Sequence, residues 1–127
     1  APRGEQLGDL VDPIRLSGRP LVGEEEGNSC QMMVDQRLAA AGACPNPDYV
    51  FRSNDNGTLQ SMVRAGMGWA VMPRLAVDTN DPDIEVALLG CEFAPRSIGL
   101  VRDARRTHAP AVDRLIELAR QAFARLS

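Results

Sequence analysis

Lysine is absent from this chain. All 14 of its basic residues are arginine, and 17 acidic residues leave a formal net charge of −3. An all-arginine complement is read as a biased genome rather than a mechanism. The charge sign argues against this segment wrapping nucleic acid by itself, because neutralising phosphates needs a basic surface. Histidine occurs once, at His108, and cysteine three times, at Cys30, Cys44 and Cys91, with no CxxC pair. That set cannot assemble a tetrahedral zinc site at the usual spacings, so no metal is expected. Reduced thiols in the cytoplasm are the plain reading of the cysteines. No apolar run approaches the roughly 20 residues that cross a bilayer, and a soluble protein is expected. GxSxG, a P-loop and a dinucleotide fingerprint are all missing, so no nucleophile or phosphate cradle is indicated and no cofactor is expected. The glycines of GMGWAV end a helix rather than open one.

What is present is an alternation of short apolar strands and helices. With 127 residues the chain is long enough for one domain. It opens APRGEQLGDL, without Met or a hydrophobic signal core, and is read as a segment of a longer protein. Residues 1–18 are polar and glycine-rich, with a small apolar patch at Leu7, Leu10 and Val11 and room for one helical turn. Pro20-Leu21-Val22-Gly23 predicts a buried strand. The polar loop GEEEGNS follows. From Asn28 the periodicity is helical, with Cys30, Met33, Val34, Leu38 and Ala41 on one face. Asn28 or Ser29 serves as N-cap. Gly42 stands where a left-handed residue ends a helix, and Pro45 prevents continuation. Tyr49-Val50-Phe51 predicts a second strand.

The stretch SNDNGTLQSMVRAGMGWAVMP then packs a helix and a strand into one run. Asn54, Asp55 or Asn56 caps a helix with apolar positions at Leu59, Met62 and Val63. Gly66 ends it, Gly68 allows tight re-entry, and Trp69-Ala70-Val71-Met72 is a strand closed by Pro73. Strands of this kind do not alternate in polarity, as expected when helices cover both faces of a parallel sheet. An α/β, Rossmann-like fold is therefore expected, with right-handed crossovers. Beyond the connector DTNDPD, Ile84, Val86 and Leu88 alternate with Glu85 and Ala87, giving a strand with one partly exposed face. Ser97-Ile98-Gly99-Leu100-Val101 predicts another. Pro110 opens the last helix, whose apolar face is Val112, Leu115, Ile116, Ala119, Phe123 and Leu126.

In an open parallel sheet, ligands sit beyond the carboxyl ends of strands, where helices begin. Two helix starts here are small and polar, EEEGNSC and SNDNGT. Each offers backbone N–H groups and Asn or Ser side chains, which suits a small polar molecule and equally suits simple caps.

The runs RPLVGEEEGNSCQMMVDQRLAAAG, VFRSNDNGTLQSMVRAGMGWAVMPRLAV and RSIGLVRD, with the closing amphipathic helix, resemble the co-inducer-binding domain of LysR-type transcriptional regulators. The helix ending LQSMVRAGMGWAVMP carries the likeness best. It covers nearly the whole chain from about Leu7. The resemblance implies a periplasmic-binding-protein-like type II fold, with an effector held between two Rossmann-like lobes. It divides the chain into a lead-in (1–18), a βαβαβ unit like the second lobe (19–78) and a return segment to an incomplete first lobe (79–127).

It also implies a transcription regulator that does no chemistry, works in the cytoplasm as a homodimer or higher homo-oligomer, and has no membrane partner. DNA would be reached only through an N-terminal winged helix–turn–helix absent from this chain. Asn54 matches a position where polar side chains commonly meet the effector, with Asp55 and Asn56 beside it. Gly27, Asn28 and Ser29 open the facing helix start. Glu24, Glu25, Glu26 and Asp55 oppose an anion at these starts, so a neutral or zwitterionic effector fits this half better, unless an Arg from the absent lobe reverses the balance. Rival readings are a solute-binding protein of a transport system and a small α/β enzyme.

Other features read more plainly. Cys30 is a small residue on the apolar stripe rather than a redox sensor. The Glu24–Glu26 run is a solvated loop rather than a cation site. His108 is a first-turn helix residue. Trp69 and Phe51 belong to the core, and Arg105-Arg106 is surface charge. The strands at 84–89 and 97–102 lack neighbours, so their edges are expected to recruit a second copy.

Overall fold

The structure is a computed structural model, and residues 1–90, 97–107 and 109–125 are described. The expectations for Cys91, His108 and Leu126 fall outside them. The described residues up to 90 form one compact unit, and those from 97 onward form another.

In the first unit, strand β1 (Leu10–Val11) leads through a 3-10 turn (Pro13–Leu16) to β2 (Leu21–Gly23), α1 (Ser29–Ala40), β3 (Tyr49–Arg52) and α2 (Asn56–Arg64). A second 3-10 turn (Arg74–Ala76) and β4 (Leu88–Leu89) complete it. β2 pairs in parallel with β3 on one side. On its other side Leu21 bridges in parallel to Trp69. β2 is thus central, with β3 on one side and the bridge at Trp69 on the other, the order expected of a βαβαβ run. β1 and β4 form a separate parallel pair.

Leu21 and Val22 are adjacent, so they face opposite sides of the sheet. Leu21 joins a core with Val11, Leu16, Leu38, Ala43, Cys44 and Trp69. Val22 joins Leu59 and Val63 of α2, with Phe51, Met62, Ala70, Met72 and Ile84 packed around them. Helices therefore cover both faces, as the non-alternating strands imply. Trp69 is 5% exposed. Its ring lies under the Arg19 guanidinium at 4.3 Å and near that of Arg15 at 5.8 Å, a cation–π arrangement that offsets the burial of an indole beside two charges. Gly68 has no room for a side chain, because a Cβ there would stand 2.6 Å from the Pro20 carbonyl oxygen.

Several expectations need correction. The strand foreseen over Trp69–Met72 is a single bridge at Trp69. Its neighbour β2 is only three residues long, which leaves little ladder to extend. The strand foreseen from Ile84 is divided. Ile84 bridges antiparallel to Pro2, and only Leu88–Leu89 form a ladder. Ala87 and Leu89 pack toward the core, while Val86 and Leu88 face outward, Leu88 being 60% exposed. The Ser97–Val101 strand does not form. Those residues are exposed coil without a ladder partner among the described residues, and branched side chains alone do not make a strand. The first 18 residues contribute β1, a buried Pro13 and two core residues, Val11 and Leu16.

α1 departs from its expected stripe at one position. Gln31 is buried, 5% exposed, beside Leu38, while Cys30, Met33, Val34 and Ala41 are only half-buried. Asn28 caps the helix by accepting from Cys30 N, and Gly42 follows at φ +69°. Asp55 caps α2 by accepting from Thr58 N, and Gly66 ends it at φ +78°. In the second unit α3 (Pro110–Ala124) begins with proline in its first turn. Val112, Ile116 and Ala119 are half-buried there, and Leu115 and Phe123 are exposed.

Candidate functional site

β2 and β3 end side by side, with Gly23 opposite Arg52 in the ladder. Their loops leave for helices on opposite faces, which opens the carboxyl edge of the sheet to a ligand. The structure brings the two polar helix starts together there. The Asn54 side-chain oxygen accepts from the Asn28 Nδ2 group at 3.1 Å and from the Glu25 amide at 3.3 Å. Asn28 turns its own side-chain oxygen inward, to Cys30 N at 2.8 Å. Gly27 stands at φ +82°, a left-handed conformation that a glycine adopts without steric cost. Ser29 is exposed and Asn56 half-buried. Asp55 accepts from Thr58 N at 2.7 Å, and hydrogen bonding from the Thr58 side chain, then from this amide, holds its carboxyl below the usual range. Asp55 N donates to Ser53 Oγ at 3.1 Å, and Ser53 N to the Gly23 carbonyl at 3.0 Å.

The six residues singled out from the sequence thus lie along two adjoining loops tied through Asn54. Much of their hydrogen-bonding capacity is spent within the protein. Asn28 and Asp55 act as caps, and a ligand would have to share or replace the bonds at the Asn54 oxygen.

Under this edge, on the α1 side, lies a polar network that the sequence did not disclose. Gln31 Oε1 accepts from the Glu24 amide at 2.7 Å, and Gln31 Nε2 donates to Asp35 at 2.9 Å and to the Tyr49 hydroxyl at 2.5 Å. The Tyr49 hydroxyl donates to Asp35 at 2.6 Å. Burial, followed by the bond to the Asp35 carboxylate, pushes the Tyr49 phenol well above its ordinary pKa. Tyr49 therefore stays a neutral donor. Arg52 stacks on the Tyr49 ring at 4.2 Å and donates to the Glu24 carbonyl at 2.8 Å.

Simple alternation would put Tyr49 and Arg52 on opposite faces. They share one because the β2–β3 register slips between Leu21 and Val22. An extra residue in one strand reverses the facing of everything after it. No local sequence signal marks that slip. A strand ending in Arg directly before Ser-Asn was the visible hint of a charge at this edge.

A cavity of about 660 Å³ lies elsewhere in the first unit. Leu7, Val11, Trp69, Val71 and Ile84 give it an apolar wall, and Arg74 and Glu85 add charge. None of the six candidate residues lines it. The Glu85 carboxylate is already engaged by the Gly4 and Leu7 amides at 2.6 and 3.0 Å. No group of three His, Cys, Asp or Glu side chains among the described residues is placed to hold a metal. Cys44 is buried, which pushes its thiol pKa up, away from reactivity. No helix among the described residues is long and apolar enough to cross a membrane.

A family model described as LysR substrate binding domain matches residues 1–124. Neither the curated proteins nor the solved structures contain a match.

Proposed function

The chain belongs to the LysR substrate-binding domain family, and from that membership we propose that it is the ligand-sensing part of a transcription regulator, with its effector at the paired helix starts. The family is regulatory rather than enzymatic and has the periplasmic-binding-protein-like type II fold. The effector is a small polar molecule contacting Asn54, Asp55 and Asn56 on one loop and Gly27, Asn28 and Ser29 on the other, within an interlobe cleft.

The observation that carries this reading is the Asn54 side-chain oxygen, which accepts from both the Glu25 amide and Asn28 Nδ2. A ligand acceptor placed there would meet both of these donors of the β2–α1 loop beside the first turn of α2. Its binding then favours whichever arrangement of the loops it fits better, and it shifts that equilibrium only by its differential affinity. A winged helix–turn–helix on a separate segment would take the signal to DNA in the cytoplasm, in a homodimer. The strand at 88–89 is paired with β1 rather than left without a neighbour, and its exposed Leu88 beside Leu10 is an apolar patch such self-association would cover. A clean monomer in sedimentation at high concentration would speak against the dimer.

The test of the site is a panel of small polar compounds screened by thermal shift against the wild type and Asn54→Leu. Compounds that stabilise the wild type should lose their effect in the variant. Equal stabilisation of both proteins would remove Asn54 from the site.

A further inference from the structure

Two opposite charges, on the side chains of Arg52 and Glu24, stand at the same sheet edge without an ion pair among the described residues. Arg52 is held firmly, by its bond to the Glu24 carbonyl and its stack on Tyr49. Yet among the described residues its guanidinium makes no ion pair, although three glutamates follow directly on Gly23, its partner in the ladder. One of them, Glu24, has a carboxylate oxygen, Oε2, that is shut off from solvent with no hydrogen-bond partner among the described residues. A buried carboxylate oxygen without a donor is costly, and a positioned guanidinium with spare N–H groups is built for an oxyanion. Gly23 lets Gln31 and Tyr49 pack directly on the backbone beneath these charges, since a Cβ there would meet Gln31 Oε1 and the Tyr49 ring at 2.5 Å.

We propose that Arg52 and Glu24 read the opposite charges of a zwitterionic effector, an amino acid or a molecule built like one. The Arg52 fork takes the carboxylate and Glu24 takes the ammonium. This rests on the reading that the effector seats at the helix starts, and it gives that effector a chemical class. It also answers the objection that the acidic loop raises against an anion. The loop repels a simple carboxylate, but an ammonium on the same molecule turns Glu24 into an attraction. Arg52 is held by a backbone carbonyl and an aromatic face, neither of which neutralises it, so its full charge stays available.

The test is a nuclear magnetic resonance titration of the purified protein with L-alanine, propionate, ethylamine and acetamide at matched ionic strength, following the Arg52 Nε–H signal and the Gly23, Asn28 and Asn54 amides. L-alanine should move the Arg52 signal saturably. Propionate and ethylamine, each lacking one charge, should bind at least about tenfold more weakly, the worth of one modest interaction of about 1.4 kcal/mol. Arg52→Gln should erase the preference for L-alanine over ethylamine, and Glu24→Gln the preference over propionate. Arg52→Lys, which keeps the charge without the fork, should retain the order of preference with weaker binding.

Equal binding of L-alanine and propionate by the wild type overturns the proposal whatever the variants do. So do preferences that survive both substitutions. If acetamide moves the Asn28 and Asn54 amides while L-alanine moves nothing, the helix-start reading stands and the zwitterion falls. If no probe moves those amides, both fall.

Discussion

The two helices that sandwich the central sheet are fastened by different chemistry. α2 lies on its face through Leu59 and Val63, both buried against Val22, in the way an amphipathic helix ordinarily does. α1 contributes Leu38 to its side, but its N-terminal half meets the sheet through Gln31 and Asp35, which bond to the Tyr49 hydroxyl. An apolar contact depends on area and volume and tolerates small shifts. A network of hydrogen bonds at 2.5–2.9 Å is satisfied in one geometry only, and a partly satisfied one is worse than none. The oily side therefore supplies stability, and the polar side sets where the β2–α1 loop stands. That loop holds half of the candidate site.

The largest expected break in this contrast is on the oily side. Leu59→Ala should cost about 2–5 kcal/mol in urea unfolding, through lost transfer energy and the cavity left behind. It should leave the amide signals of the Glu24–Asn28 loop nearly in place. Tyr49→Phe should cost less, about 1.5–3 kcal/mol, because the bond donated to the charged Asp35 and the one accepted from Gln31 are lost while the ring stays. Its mark should be displaced amide signals in Glu24 and Gly27, which Leu59→Ala does not produce. If Tyr49→Phe moves none of them, the polar side has no positioning role.

Titration sharpens the contrast further. The Tyr49 phenol is raised in the folded state, so its contribution is complete below about pH 10, the ordinary value, and is lost as the pH climbs toward the folded one. Tyr49→Phe should remove that alkaline loss. Asp55, Asp81 and Glu85 are held below their ordinary values, chiefly by bonds from Thr58, from the Asp83 amide and from the Leu7 and Gly4 amides respectively. Their contribution is complete above about pH 4 and fades as the pH falls through the lowered values, because the unfolded chain then binds more protons. Acid unfolding followed by circular dichroism should show this, and Glu85→Gln should flatten it. The smallest effect belongs to Asp55→Ala, which removes the α2 cap. It should loosen the first turn, read as faster amide exchange at Thr58, with little change in global stability.

The sequence made the helix ends legible because caps are local chemistry. Asn28, Asp55, Gly42 and Gly66 each act within a few residues of themselves, and each stands in its expected role or among its foreseen alternatives. The parallel order of the strands was legible too, since three apolar runs separated by two helices leave few topologies. What was hidden is non-local. Gln31 and Asp35 carry no apolar periodicity, so the face of α1 that enters the network reads as solvent-facing. The register slip between Leu21 and Val22 arises from pairing and brings Arg52 beside Tyr49 against the rule of alternation. Residues 97–101 have strand-forming side chains but no ladder among the described residues. For the candidate site, the loops could be named in advance, while the reach of Asn54 from one to the other could not.

The lone tryptophan has a practical consequence. Its indole is almost closed to water, yet two guanidinium groups on the 3-10 turn and the segment after it lie within 6 Å of the ring centre. Emission from a buried indole responds to the electric field of nearby cations more than to bulk solvent. The protein thus carries a built-in optical gauge beneath the chain that leads into β2, and a movement of Arg19 against the ring should register as a shift in emission, with no label attached.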